Sequence, residues 1–223
     1  MMDDPKSCPS SFLFLSCTEF FDYGTSPYAF CNSNPVNYVD PDGRDGVYIN
    51  FPEYRISILG RKIPNLGHAG VLLIDNSTGL TKYYEYGRYD EQNKGIVRNH
   101  KIPNVVIDAN GRPTDESLDH VLKAISRIAG HNGPIKGVYV ESEHFGAMNE
   151  YAQSRMRENA NDDRVVYNGL NNNCSTFAED VLRQDPEVNE QVRSRFINIP
   201  NRVVDILEKL FEPIFYDDKK VIE

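Results

Sequence analysis

One stretch limits what this chain can become more than any other: residues 171–182, NNNCSTFAEDVL. Its asparagines favour a turn over a regular element. A helical pattern then starts at the cysteine, with Phe177, Val181 and Leu182 at helical spacing and Ala178 widening the same face. Asn173 is placed to cap that helix, because its side chain can accept a hydrogen bond from an otherwise orphan backbone N–H. Cys174 thereby falls in the first turn. There the helix dipole favours the thiolate, and the thiolate is the nucleophile. A cysteine used only for packing sits more naturally in mid-helix on the apolar stripe. Free cysteine is nonetheless among the most often buried residues, so this stretch by itself leaves a packing role open.

The 223 residues suit one globular domain with appendages. Hydrophobic residues at 39% and charged residues at 26% argue against wholesale disorder. A net charge of −9 argues against a nucleic-acid partner and against an anionic membrane surface. No apolar run is long enough to span a bilayer, so stable membrane insertion is not expected. The apolar residues 12–15 follow Asp3 and Asp4 rather than a basic region, so no signal peptide is recognisable. Of the four cysteines, Cys8, Cys17 and Cys31 cluster near the start and Cys174 stands apart. No pair has the two-residue spacing of a zinc site, and no histidines follow at ligand distance. Cys8 and Cys17 can form a disulfide in an oxidising compartment.

Residues 1–46 read as a loop-rich lead-in, rich in Pro, Asn, Asp and Gly toward its end. From residue 47 the pattern is α+β. Strands are predicted at 47–51, 67–75, 80–86, 95–98, 105–108, 135–140 and 165–167. The second and third form a hairpin across the turn Asn76-Ser-Thr-Gly79. Helices are predicted at 115–129, capped by Thr114 and ended by Gly130, at about 142–159, from Cys174, and at 200–211 with Pro200 at its start.

The hairpin supplies partners for the cysteine. A thiolate nucleophile needs a base, and the base needs an orienting group. His68 opens the first hairpin strand between Gly67 and Ala69, whose small side chains leave the imidazole room. A tight turn brings residues 84–87 opposite His68, so Glu85 can hold one ring nitrogen while the other faces Cys174. Each residue alone has a plainer reading, a strand-end histidine bonded to backbone and a solvated strand glutamate. The combination points to catalysis. Backbone N–H of Cys174, with Asn172 or Asn173, is the expected oxyanion site. Tyr83, Tyr84, Tyr86 and Tyr89 cluster beside it, and Tyr84 and Tyr86 are expected in a substrate groove, packing on the sheet being the commoner fate of such residues. Glu141 and His144 have the spacing of a helical metal pair, but no second such pair exists.

Two stretches resemble known families. SPYAFCNSNPVNYVDPDGRDG, residues 26–46, resembles the end of the Rhs repeat-associated core, with Tyr28, Asn34, Pro35, Asp40, Pro41, Asp42 and Gly43 where that pattern expects them. In that family a variable toxin domain follows. GHAGVLLID, YYEYGR and then NNNCSTFAEDVL resemble the circularly permuted papain-like fold of the NlpC-related superfamily, which includes lecithin:retinol acyltransferase-like proteins. In that order the histidine strand precedes the cysteine helix. Asn173, Cys174 and Phe177 match its N-C-x-x-F motif and His68 its strand histidine. Its third polar residue varies, and Glu85 stands in that place.

The resemblances imply a permuted papain-like domain at 47–223, an antiparallel sheet packed on helices with the nucleophile at a helix N-terminus. They imply a bacterial thiol hydrolase of peptidase or amidase type, a secreted or delivered Rhs toxin or effector. Its substrate would be a peptide, a protein or a lipid acyl group, an immunity protein would be its natural partner, and no metal or organic cofactor is implied. Alternatives are a lipid acyl hydrolase or acyltransferase with the same Cys-His site, a nuclease toxin, and a non-catalytic interaction tip.

Overall fold

The computed structural model describes residues 44–58, 61–92, 94–192 and 198–219. All of them fall within one compact unit, Asp40–Glu223. The strands are β1 (Arg44–Phe51), β2 (Ile56–Ile58), β3 (Arg61–Ile63), β4 (His68–Asp75), β5 (Leu80–Gly87), β6 (Ile96–His100), β7 (Ile135–Val140) and β8 (Glu212–Tyr216). The helices are α1 (Asp115–Ala129), α2 (Phe145–Arg157), α3 (Cys174–Leu182), α4 (Pro186–Gln191) and α5 (Pro200–Leu207). Six strands form one antiparallel sheet in the order β6-β5-β4-β1-β7-β8, and β2 pairs with β3.

Both faces of this sheet are covered. Ala69, Val71, Leu73, Tyr84 and Tyr86 pack with Met148 of α2, Phe177 and Val181 of α3 and Val203 of α5. Val47, Ile49, Leu72, Ile74 and Tyr83 pack with Val121, Leu122 and Ile125 of α1. β4 is therefore buried from His68 to Ile74 and reads as a nearly unbroken apolar run rather than an alternation. Each large side chain so buried contributes about 1.5–3 kcal/mol.

The hairpin is fixed by its turn. Gly79 takes φ +73°, and its N–H donates to the Asp75 carbonyl at 2.7 Å. The Asp75 carboxylate accepts from the Ser77 N–H at 3.1 Å and the Thr78 hydroxyl at 2.8 Å. The resulting register sets Gly70 opposite Glu85 and Val71 opposite Tyr84. A period of two then puts His68 and Glu85 on one face of the sheet, one diagonal step apart.

The structure corrects several expected elements. Residues 105–108 make no strand but a single bridge, Ile107 to Pro113. The Asp108 carboxylate instead folds the chain into a turn, accepting from the N–H groups of Asn110 and Arg112. Residues 165–167 are also not a strand; the Tyr167 N–H donates to the Lys94 carbonyl at 2.7 Å within a loop. α5 stops at Leu207, and the chain returns as β8, whose Pro213 is tolerated because β8 is an edge strand. Residues 44–46, expected in the loop-rich lead-in, belong to β1. The rest of the Rhs-like stretch, with Cys8, Cys17 and Cys31, lies outside the described residues. Among the described residues no helix is long and apolar enough to cross a membrane.

Candidate active site

α3 starts at Cys174 because Asn173 caps it. The Asn173 Oδ1 accepts from the N–H groups of Ser175 at 2.9 Å and Thr176 at 3.1 Å, and the Asn173 N–H donates to the Thr176 hydroxyl at 2.8 Å. This reciprocal capping box fixes the first turn. Cys174 is 1% exposed, its sulfur held at the positive end of the helix. α3 packs on one face of the sheet, and its N-terminus meets β4 at the end where His68 sits. There His68, the Ala69 N–H and Tyr167 act electrostatically on the thiol.

His68 Nε2 lies 2.8 Å from Glu85 Oε2. The Tyr89 hydroxyl lies 3.0 Å from the same nitrogen. With Nε2 engaged there, Nδ1 is left for the sulfur. The ring is enclosed by Tyr54, with centroids 4.9 Å apart, and Phe51 at 6.1 Å. Gly67 allows the chain to enter β4 at φ +76°, where a Cβ would meet the side-chain amides of Asn201 and Asn50. Glu85 has a second histidine: His100 Nε2 is 2.8 Å from Oε1.

Charge follows from this geometry. Burial pushes His68 toward the neutral ring, but the charges of Cys174 and Glu85 and the hydrogen bond that the ring donates to Glu85 outweigh it and raise its pKa to about 10. Burial likewise opposes the Cys174 thiolate, yet His68, the Ala69 N–H and Tyr167 lower the thiol pKa below its ordinary range. Burial would raise Glu85, and hydrogen bonds from His100 and His68 hold it at about 2. Both shifts favour the charged form of the Cys174–His68 pair over the neutral one, with the Glu85 carboxylate beside the ring.

A cleft of about 390 Å³ opens on the thiol. Leu66, Leu170, Ile199 and Pro200 give it apolar walls, and Arg88 and Tyr167 line it beside Cys174. The Tyr167 hydroxyl donates to the sulfur at 3.9 Å. The sequence reading missed Tyr167, although an aromatic hydroxyl seven residues before the nucleophile was the available signal. It also missed Tyr89 and His100 as partners of the histidine and the glutamate.

Two expectations change. Tyr84 and Tyr86 do not line the cleft: both point to the helix-covered face, where the Tyr84 hydroxyl donates to Asn149 Oδ1 at 2.8 Å and Tyr86 packs on Phe177. The side chains of Asn172 and Asn173 are committed elsewhere. Asn173 Nδ2 donates to the Gly169 and Asn198 carbonyls, both at 3.1 Å. Asn172 Nδ2 donates to the Tyr86 hydroxyl and to the Val165 and Val166 carbonyls, which shapes the loop rather than an oxyanion site. Glu141 and His144 also part company, Glu141 lying 3.8 Å from Arg112 and His144 Nδ1 3.2 Å from Asp185. Among the described residues no cluster of metal-binding side chains occurs.

Because the Asn173 side chain bonds four groups at once, Asn173→Ala should destabilise the domain by about 2 kcal/mol or more, the loss of a cap together with the buried hydrogen bond to the Asn198 carbonyl. Asn173→Ser, which keeps a capping oxygen, should recover part of it. Urea midpoints at constant slope measure both.

The arrangement has known relatives. No curated protein matches the chain. The crystal structure of a type VI secretion system effector, TseH, matches with a TM-score of 0.71 and 31% identity, covering 80% of this chain and 94% of that one. A family model described as type VI secretion system effector TseH-like matches residues 36–189, from the end of the lead-in through the cysteine helix into α4. The chain therefore belongs to the TseH-like family of type VI secretion system effectors.

Proposed function

We propose that this effector is a cysteine-dependent hydrolase of papain-like type that cleaves amide bonds in peptides. The observation that carries the reading is the Cys174–His68–Glu85 row, buried yet open to a cleft on the sulfur side. The Cys174 thiolate attacks the carbonyl carbon, and the carbonyl electrons move to oxygen. That oxygen takes hydrogen bonds from the Cys174 N–H and from the Tyr167 hydroxyl, which turns to it from the sulfur. As the intermediate collapses, the His68 imidazolium gives its proton to the leaving nitrogen and the C–N bond breaks. Water then attacks the thioester with His68 as base, releasing the acid and restoring the ion pair. Glu85 orients the ring and stabilises its charge throughout.

The apolar cleft walls favour one second reading, a lipid ester as acyl donor. The same steps apply with an alkoxide as leaving group. We read the chain as delivered into other cells, paired with an immunity protein in its producer. The Rhs-like residues 26–46 favour delivery as the tip of an Rhs-type protein.

The test is incubation of the protein with peptidoglycan stem peptides, denatured protein, phospholipid vesicles and nucleic acid, beside Cys174→Ala. Thiol-dependent release of new amino termini is the expected result, with nucleic acid left intact. Thiol-dependent release of fatty acid would keep the mechanism and replace the substrate. Nuclease activity that survives loss of the thiol would overturn the reading.

A further inference from the structure

Glu85 does not hold His68 by itself. Its carboxylate is 3% exposed and offers one oxygen to each of two histidines, Oε2 to His68 and Oε1 to His100, both at 2.8 Å. A carboxylate bonded through one oxygen can still rotate about its last torsion, which is a soft sp³–sp² one. Anchors on both oxygens fix its plane. That plane sets the direction of the Nε2 bond, and so the tilt of the His68 ring that aims Nδ1 at the sulfur.

The edge strand β6 is placed for this task. Its register sets Arg98 opposite Glu85 and His100 opposite Tyr83, so Arg98 and His100 share the face that carries Glu85. His100 is held from behind by the Tyr83 ring at 5.9 Å. Its side chain keeps 21% exposure, against 3% for the carboxylate it bonds. Arg98 lies 3.6 Å over the Tyr89 ring, whose hydroxyl is 3.0 Å from His68 Nε2.

Resting on the hydrolase reading above, we infer that His100 is a positioning residue of the site: it fixes the Glu85 carboxylate that in turn aims His68 at Cys174. The row is then Cys174–His68–Glu85–His100, drawn from α3, β4, β5 and β6. Removing His100 leaves a buried carboxylate oxygen without this donor, so Glu85 turns toward whatever donors remain. The imidazolium is then held less firmly and favours the thiolate less. The ionisable groups facing the row are Tyr54, Tyr83, Tyr89, Arg98 and Cys174 itself.

The test reads the thiol directly and needs no substrate. The rate of alkylation of Cys174 by iodoacetamide is followed against pH in the full chain and in His100→Ala, His100→Gln and His68→Ala, with thermal melts confirming that each folds. In His100→Ala the acid limb should move upward by about one pH unit, so the rate below that limb falls about tenfold. Glutamine offers an N–H at similar reach and no titratable ring, so His100→Gln should return the limb close to wild type. An unmoved limb in folded His100→Ala overturns the inference, as does His100→Gln behaving like His100→Ala. His68→Ala separates the two levels: if that variant also leaves the limb in place, the ion pair itself is absent and the hydrolase reading fails with it.

Discussion

Replacing Cys174 with Ala or Ser should abolish hydrolysis, and with it toxicity to a recipient cell, by roughly 10⁴–10⁶-fold. The acyl group is carried on that sulfur throughout the proposed reaction, and no other described cysteine is available to take its place. The fold should survive. The sulfur is small, and its surroundings include polar groups, His68, the Ala69 N–H and the Tyr167 hydroxyl, that accommodate a serine hydroxyl. Circular dichroism and a thermal melt next to wild type check the fold; residual turnover above background in a folded Cys174→Ala sample would remove the thiol from the chemistry.

The second large effect belongs to His68. His68→Ala should lower turnover about 10²–10⁴-fold, the span that one general acid–base supplies. It should also change the pH profile. With His68 raised to about 10 and Cys174 lowered, wild-type activity needs the thiol deprotonated and the imidazole protonated. Activity therefore falls on the acid side as the thiolate takes up its proton, and on the alkaline side as His68 loses its own near 10. Without His68 the thiolate loses its nearest positive charge while burial still opposes it. The acid limb should then rise toward or past the ordinary thiol range of about 8.5. Steady-state rates between pH 5 and 11 measure both limbs, and a His68→Ala profile identical in shape to wild type would contradict the assignment.

The sequence made part of this site legible and hid the rest, for physical reasons. Asn173 and Cys174 were readable because a helix start is local: cap, first turn and apolar stripe lie within twelve residues. His68 and Glu85 were readable because a short turn converts residue count into register. Tyr89 and His100 were not, since their roles depend on how the chain returns after β5 and where β6 pairs. Tyr84 and Tyr86 were misplaced because β4 and β5 are covered on both faces, so alternation no longer separates a wet face from a dry one. Asn172 and Asn173 looked free to bind an oxyanion. The carbonyls of Gly169, Asn198, Val165 and Val166 claim their amides, and the backbone path of those loops is set by tertiary packing. The strand β8 carries a proline, and its place at the sheet edge, invisible in sequence, is what admits it.

The position of β1 sets where this effector can be cut from whatever precedes it. β1 lies between β4 and β7, so it joins the half of the sheet carrying His68 and Glu85 to the half formed by β7 and β8. Its second residue, Asp45, is 3% exposed and accepts hydrogen bonds from Asn76 Nδ2, the Tyr139 hydroxyl and the Ser142 N–H, tying the hairpin turn to the end of β7. A fragment that begins at Val47 would keep the pairing of residues 47–51 with β4 but leave those three donors without their acceptor. The smallest autonomous unit of this fold therefore begins before Asp45.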